Sequence, residues 1–306
     1  MINWSSLNEK KDELHAFWRT SGPTTRYVVI DNFLHDGLCE QLREGFRNLA
    51  GKRAAVVTRD HKHVRGKAGT PNWERMTPLQ RDFFRAANSP EMCRYIQDIT
   101  DIESVVADDD LFGGGLHEIR RGGYLRVHTD FNYHPTTGLN RRLNLLLYLN
   151  PVWKDEWNGH IELWNEAISR PYVKLQPIAN RVLLFETTEV SYHGHPSPLL
   201  TPPDFHRRSM AVYYYSSWPE GLARRNKTGY QLTKQEWATL IGRVADLLYQ
   251  GVDDSKAILA ALDTDYQSQD IATAIRTLQG LRSAELVKEK YVEHPDGQVE
   301  RVTKDS

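Results

Sequence analysis

The residues best suited to chemistry in this chain of 306 residues are histidines placed next to strand-like stretches. His128-Thr-Asp130 closes one such stretch, and His193-Gly-His195 lies beside another. Two imidazoles and one carboxylate on one face of a divalent metal leave neighbouring positions open, the facial arrangement used by non-haem Fe(II) oxygenases. His128 and Asp130 supply one imidazole and the carboxylate, and the second imidazole is His193 or His195. His294-Pro-Asp296 has the same local pattern, but it sits in a turn near the C-terminus with no histidine after it. Arg207-Arg-Ser209 opens a further strand. Alternation puts Arg207 and Ser209 on one face and Arg208 on the other. A guanidinium beside a hydroxyl suits a bidentate grip on a carboxylate, whereas the competing reading is an Arg-Arg pair on a solvated edge.

Those residues need a scaffold, and the texture of the sequence changes where it would be. From about 111 to 217 the chain reads as eight short strands: Leu116–Arg120, Tyr124–His128, Arg142–Leu149, His160–Trp164, Tyr172–Leu175, Arg181–Phe185, Tyr192–His195 and Ser209–Ser216. Gly113-Gly-Gly115, Gly122-Gly123, Asn150-Pro151 and Pro202-Pro203 punctuate them. Strands this short and this evenly spaced predict a sandwich or jelly roll. Ahead of them, Leu7 to Trp18 reads as a helix and Tyr27–Ile30 as a short buried strand. Asp36 reads as the cap of a helix running to about Leu49. Gly51 to Glu74 reads as a long loop rich in Lys, Arg and His. Beyond Trp218-Pro219, Thr233 caps a helix to about Gln250, Lys256–Leu262 makes a second and Ser268 caps a third. A hairpin then flanks Pro295-Asp-Gly297, and three helices followed by a hairpin is a winged-helix pattern. The expected organisation is residues 1–110 as helix and strand support, 111–218 as the jelly-roll core and 219–306 as an accessory winged-helix-like domain.

The order of motifs across the core resembles a known family. Gly122-Gly-Tyr-Leu-Arg-Val-His-Thr-Asp130, Leu145-Leu-Leu-Tyr-Leu-Asn150, Arg181-Val-Leu-Leu-Phe185, His193 and Arg207-Arg-Ser-Met-Ala-Val-Tyr-Tyr-Tyr215 look like the 2-oxoglutarate- and Fe(II)-dependent oxygenases of the prolyl 4-hydroxylase type. The likeness covers about residues 112–217, and Tyr27–Leu49 is similar to the family's N-terminal strand and helix. It implies a double-stranded β-helix in which His128, Asp130 and His193 hold Fe(II). His193 is preferred over His195 because it lies eight residues past Phe185, the family's usual interval. The resemblance further implies that Arg207 binds the distal carboxylate of 2-oxoglutarate with help from Ser209, and that Tyr148 adds a hydroxyl. The family's usual Gly-Gly before the fourth core strand is Gly159-His160 here, and the long gap from His193 to Arg207 leaves Arg208 as the rival clamp. The activity implied is hydroxylation by O₂, coupled to decarboxylation of 2-oxoglutarate to succinate and CO₂. The alternative is a non-catalytic member of the fold that senses 2-oxoglutarate or scaffolds a complex.

Composition narrows the partners. Lys plus Arg (39) against Asp plus Glu (40) leaves a formal charge of −1, which excludes a globally basic nucleic-acid binder. Residues 219–306 carry 12 Lys/Arg against 14 Asp/Glu, a net of −2. The expected third helix offers only Arg276 and Arg282 as cations, so phosphate neutralisation is poorly served. A protein-binding or dimerising role fits that segment better than DNA binding. Two cysteines exclude a disulfide scaffold. The first residues lack an apolar run of the secretory kind and no stretch is long enough to span a bilayer, so the expectation is a cytoplasmic protein. The basic loop and Phe131-Asn-Tyr-His134 are candidates for selecting a small-molecule or peptide substrate, with Asn132 and Trp164 as further pocket candidates.

Overall fold

In a computed structural model of the chain, the expected strands form one large antiparallel sheet whose outer face is covered by helices. Residues 1–48, 56–57, 63–225, 227–252, 254–262, 266, 268–283, 289–293 and 299–303 are described. The chain divides into two compact units, Met1–Leu232 and Thr233–Ser306. The first begins with helices α1 (Trp4–Glu9) and α2 (Lys11–Thr20), strand β1 (Tyr27–Asp31) and helix α3 (Leu38–Glu44). Strands β2 (Val56–Val57) and β3 (Val64–Thr70) precede helices α4 (Pro78–Ala87) and α5 (Pro90–Thr100). Then come β4 (Val106–Ala107), β5 (Gly115–Thr129), β6 (Asn140–Tyr148), β7 (Ile161–Trp164) and β8 (Pro171–Leu175). Strands β9 (Arg181–Glu186), β10 (His193–His195), β11 (Arg207–Ser216) and β12 (Gly229–Tyr230) complete the unit.

The strand order is β1-β9-β6-β11-β5-β10-β7-β8, with β3 and β12 also on β5 and β4 on β11. Strand β5 joins the two halves. Leu116–Ile119 pair with both β11 and β3, whereas His128 and Leu125 pair with β10. One long strand serving different neighbours at its two ends curls the sheet into the half-barrel of a jelly roll.

Alternation gives each central strand two buried faces. Leu143, Leu145 and Leu147 of β6, Val182 and Leu184 of β9, and Met210, Val212 and Tyr214 of β11 face the helices, in one core with Phe83, Phe84, Ile96 and Trp18. The intervening residues face the barrel interior, where Tyr148, Leu183 and Phe185 meet Ile161, Leu163 and Val173 from the other half. The outer layer is anchored by hydrogen bonds as well, since Tyr214 donates its hydroxyl to the Ala87 carbonyl at 2.8 Å.

Several local expectations are corrected. The first helix is two, broken at Lys10. Asp36 caps nothing: α3 starts after Gly37, a left-handed residue (φ 78°) without a side-chain cap, and Gly45–Asn48 winds as a 3-10 turn. The basic stretch is not all loop, because its second half is strand β3, laid along β5. Lys52, Arg53, Arg59, His61 and Lys62 lie outside the described residues. The sequence reading begins the accessory segment at 219, while the first unit runs on to Leu232. The reason is that Gly229 and Tyr230 pair with Thr129 and His128, and Arg225 is bound to the turn after β5.

In the second unit, α6 (Lys234–Tyr249) starts in a capping box between Thr233 and Glu236. Asp254 caps α7 (Ser255–Ala261), and α8 (Ser268–Ser283) follows. Buried Leu240, Val244, Ile258, Ile271 and Ala274 form the inner faces of these helices. Strands β13 (Glu289–Glu293) and β14 (Val299–Thr303) pair antiparallel, and the expected turn at Pro295-Asp-Gly297 lies outside the described residues. No helix among the described residues is long and apolar enough to cross a membrane.

At Gly194 strand β10 leaves no room for a side chain against β5. A Cβ there would lie 2.8 Å from the carbonyl oxygens of both Leu125 and Arg126. Neither oxygen belongs to a flexible side chain, so Gly194→Ala must push the strands apart. We expect it to destabilise the first unit by about 1–3 kcal/mol in urea unfolding.

Candidate functional site

Register brings the two histidines together. His193 of β10 lies directly opposite His128 of β5, with ring centroids 4.3 Å apart. Asp130 follows immediately after β5. His128 Nε2 is 3.7 Å from Asp130 Oδ1, and His193 Nε2 is 3.4 Å from Asp130 Oδ2. The three donor atoms lie within 4.8 Å of one another, and all three residues are buried. His195 is outside this cluster: the strand is irregular after His193, and His195 falls opposite Leu125.

The rings are held in one tautomer. His128 Nδ1 is 2.7 Å from the Arg126 carbonyl and His193 Nδ1 is 2.9 Å from the Ser191 carbonyl. A carbonyl can only accept, so each Nδ1 carries a proton and each Nε2 is turned to the centre as the ligand atom. Burial, with the neighbouring His193, brings His128 down to about 3, so it is neutral at ordinary pH. Burial works to raise Asp130, but Arg141 and the two histidines hold its carboxyl well below the usual carboxylate range. Two imidazoles with Nε2 turned inward and one ionised carboxylate are the donor set a divalent metal needs.

Sequence reasoning missed what surrounds Asp130. Its Oδ2 accepts from Arg141 Nη2 at 2.9 Å and Asn144 Nδ2 at 2.7 Å, while Arg141 Nε donates to Asn144 Oδ1 at 2.8 Å. The guanidinium lies between two rings, 3.4 Å from the Tyr213 centroid and 4.5 Å from that of Phe131. Arg225 donates to the Asp130 backbone carbonyl through Nε at 3.1 Å and Nη2 at 2.8 Å. Both carboxylate hydrogen bonds fall on Oδ2, which leaves Oδ1 available to a metal. A signal did exist: Asn144 interrupts the run of leucines in β6, and a polar residue in a strand buried on both faces needs a partner.

Arg207 and Ser209 face the same interior. Arg207 lies opposite Ile119, and Ser209 lies opposite both His117 and Tyr148. Arg207 is 5% exposed and donates through Nε to the Gly159 carbonyl at 2.8 Å, with the Tyr148 ring 5.0 Å from its guanidinium carbon. No carboxylate among the described residues pairs with it. Gly159 is required here, because it has φ 71° and a Cβ would lie 2.2 Å from Leu199 and 3.5 Å from the Arg207 side chain. The neighbouring His160 turns to Asp155 at 3.0 Å. Arg208 leaves on the opposite face and is committed to Glu118 at 2.9 Å. Tyr148 is fully buried, its pKa raised by burial.

Other candidates have structural roles. Asn132 bonds the 223–225 segment, accepting from Arg225 N at 2.7 Å and donating to the Ala223 carbonyl at 3.1 Å. Trp164 packs on Val127 and Ile168, with its indole N–H on Glu162 at 3.1 Å. Asp108, Asp110 and His134 form a second group of possible metal donors. His134 Nδ1, however, accepts from the Thr136 and Thr137 amides at 3.2 Å each, so the proton sits on Nε2 and points to Asp108. That ring has no lone pair left for a metal.

Residues 114–215 match the model of the 2OG-Fe(II) oxygenase superfamily. Among solved structures, the chain is similar to a prolyl hydroxylase from Trichoplax adhaerens, in complex with a hypoxia inducible factor oxygen degradation domain peptide. Identity is 17% over 71% of this chain and 94% of that one, with a TM-score of 0.45. It is also similar to a prolyl-4-hydroxylase from Pseudomonas putida, at 18% identity over 66% of this chain and 98% of that one, TM-score 0.43. A third is HygX from Streptomyces hygroscopicus with nickel, 2-oxoglutarate and hygromycin B bound. Its identity is 14% over 68% of this chain and 94% of that one, TM-score 0.45. No curated protein matches the chain.

Removing the charge that balances Asp130 should be costly. We expect Arg141→Met to destabilise the first unit by about 3–5 kcal/mol in denaturant unfolding, because it strands a buried carboxylate. Arg142→Met, which breaks a half-exposed pair with Glu186, should cost no more than about 1 kcal/mol.

Proposed function

Residues 114–215 belong to the 2OG-Fe(II) oxygenase superfamily, and from that premise we propose that this chain is a 2-oxoglutarate/Fe(II)-dependent dioxygenase that hydroxylates its substrate. The observation that carries this reading is one interior surface with two complementary features. At one end, two imidazole Nε2 atoms and a carboxylate oxygen converge; at the other lies a buried guanidinium that no carboxylate among the described residues neutralises. In this reading His128, Asp130 and His193 hold Fe(II), and Arg207 with Ser209 and Tyr148 holds the distal carboxylate of 2-oxoglutarate. The bound metal and cosubstrate supply the oxidising chemistry, in which O₂ puts one oxygen into the substrate C–H bond and the other into succinate as CO₂ leaves.

The chain's own share is placement and exclusion of water. The Nδ1–H bonds to Arg126 and Ser191 fix both ring planes, so the lone pairs need no reorientation on binding. Arg141 and Asn144 hold Asp130 by one oxygen. Gly159 takes one donor of Arg207 and thereby aims the remaining fork into the barrel. The substrate is a small molecule or a peptide or protein side chain. The second unit serves in this reading as a winged-helix-like module for a protein partner or a second copy.

The test is anaerobic addition of Fe(II) and then 2-oxoglutarate to metal-free protein, watching for the visible charge-transfer band of the chelate. We expect a band in the parent chain, none in His128→Ala, and a band in Arg207→Ala only at roughly tenfold or more higher 2-oxoglutarate, as suits loss of a charge-assisted clamp. Bound Fe(II) with no band in the parent chain overturns the reading.

A further inference from the structure

We infer that His195 is an additional binding residue for the cosubstrate, donating a ring N–H to a carboxylate oxygen of 2-oxoglutarate. The inference rests on the reading above and extends it to a residue outside the triad and the Arg207 clamp.

The argument begins with unsatisfied polar atoms. His195 is 2% exposed, and both of its ring nitrogens are buried without a hydrogen-bond partner among the described residues. The buried histidines nearby differ. His128 and His193 each place Nδ1 on a backbone carbonyl, and His134 uses both nitrogens. A buried imidazole with neither nitrogen bonded is costly to keep, and such a group is expected where a ligand completes it. The strand is closely fitted here, since a Cβ at Gly194 would lie 2.8 Å from the carbonyl oxygens of Leu125 and Arg126.

The surroundings indicate the charge of that ligand. Arg207 and Lys67 are the charged groups that bear most strongly on His195, and neither can accept a hydrogen bond. Lys67 lies opposite Ile119 on β5, which lies opposite Arg207 on β11, so the two cations share one row across the interior. No carboxylate among the described residues forms an ion pair with either. Asp130 is the carboxylate whose charge acts on Lys67, and Arg141 already balances it. Two cations with no ion-pair partner among the described residues, acting on an unpaired buried imidazole, call for an anion with several acceptor oxygens, and 2-oxoglutarate is a dianion.

The test uses the full chain and measures binding. Fe(II) affinity is read alone, 2-oxoglutarate affinity anaerobically from the charge-transfer band, and thermal stability without either. We expect His195→Leu to keep Fe(II) affinity within about twofold and to be at least as heat-stable as the parent. Its 2-oxoglutarate affinity should fall about ten- to hundredfold, the worth of one charge-assisted hydrogen bond. His195→Gln, which retains a donor, should recover part of the loss, and it decides the matter should the leucine variant fail to fold. Unchanged 2-oxoglutarate affinity in both variants overturns the inference and leaves the dioxygenase reading intact. Loss of Fe(II) binding also overturns it, by making His195 a metal ligand. Absence of 2-oxoglutarate binding in the metal-loaded parent chain removes the reading and the inference together.

Discussion

A buried carboxylate that must stay ionised governs the architecture around the site. Asp130 is 7% exposed, and isolating an anion there would cost several kcal/mol. The fold meets this with Arg141 and Asn144 on one oxygen, and each solution makes a further demand. Arg141 is itself fully buried, so its guanidinium faces are covered by Phe131 and Tyr213 and its Nε is bonded to Asn144. Arg225 secures the backbone of Asp130 from a segment nearly a hundred residues later. One charge therefore ties β5, β6, β11 and the 223–225 segment together. It also explains why the first unit extends past the last long strand.

The two buried arginines of the interior show how similar side chains acquire different roles. Arg141 has a carboxylate within hydrogen-bond distance and is electrostatically closed. Arg207 has a backbone carbonyl, an aromatic ring and no carboxylate among the described residues, and burial lowers its pKa. A carbonyl fixes the direction of a guanidinium without cancelling its charge, so Arg207 stays attractive to an incoming anion where Arg141 does not. Arg208 makes the third case. It projects from the other face of β11, and Glu118 neutralises it. Three arginines that composition treats alike are sorted by strand alternation and by where the acids lie.

Much of this was legible in the sequence because a strand period of two carries both spacing and face. His128 with Asp130, and Arg207 with Ser209, are placed on shared faces by counting alone, and most expected strands recur with shifts of a residue or two, but Leu116–Arg120 and Tyr124–His128 are one continuous strand, β5, that runs through Gly122-Gly123. Cross-strand pairing was not legible. Choosing His193 over His195 from the sequence rested on an interval to Phe185; in the structure the two differ through a register shift between β10 and β5 that no local pattern announces. Arg141 and Asn144 went unnoticed because their partner is Asp130, in a different strand. The two helices α4 and α5 were missed although Thr77-Pro78 and Ser89-Pro90 are strong N-terminal signals, with cap and proline both in place. The expected loop hid β3 because seven residues rich in Gly, Lys and Arg lack the apolar alternation of a strand. Only the neighbouring β5 makes them one.

The helical layer matters to the site even though no helix enters it. Strand β11 has no solvent face, so any side chain displaced from one side must move into the other. Met210, Val212 and Tyr214 are fixed from outside, the last by a hydrogen bond to the end of α4. This immobilises the backbone from which Arg207, Ser209 and Tyr213 project inward. Close packing carries that restraint further, since Tyr213 covers the guanidinium that holds Asp130. Rigidity at the interior thus comes from apolar contacts on the far side of the same strands, and the polar residues of the site inherit their positions from it.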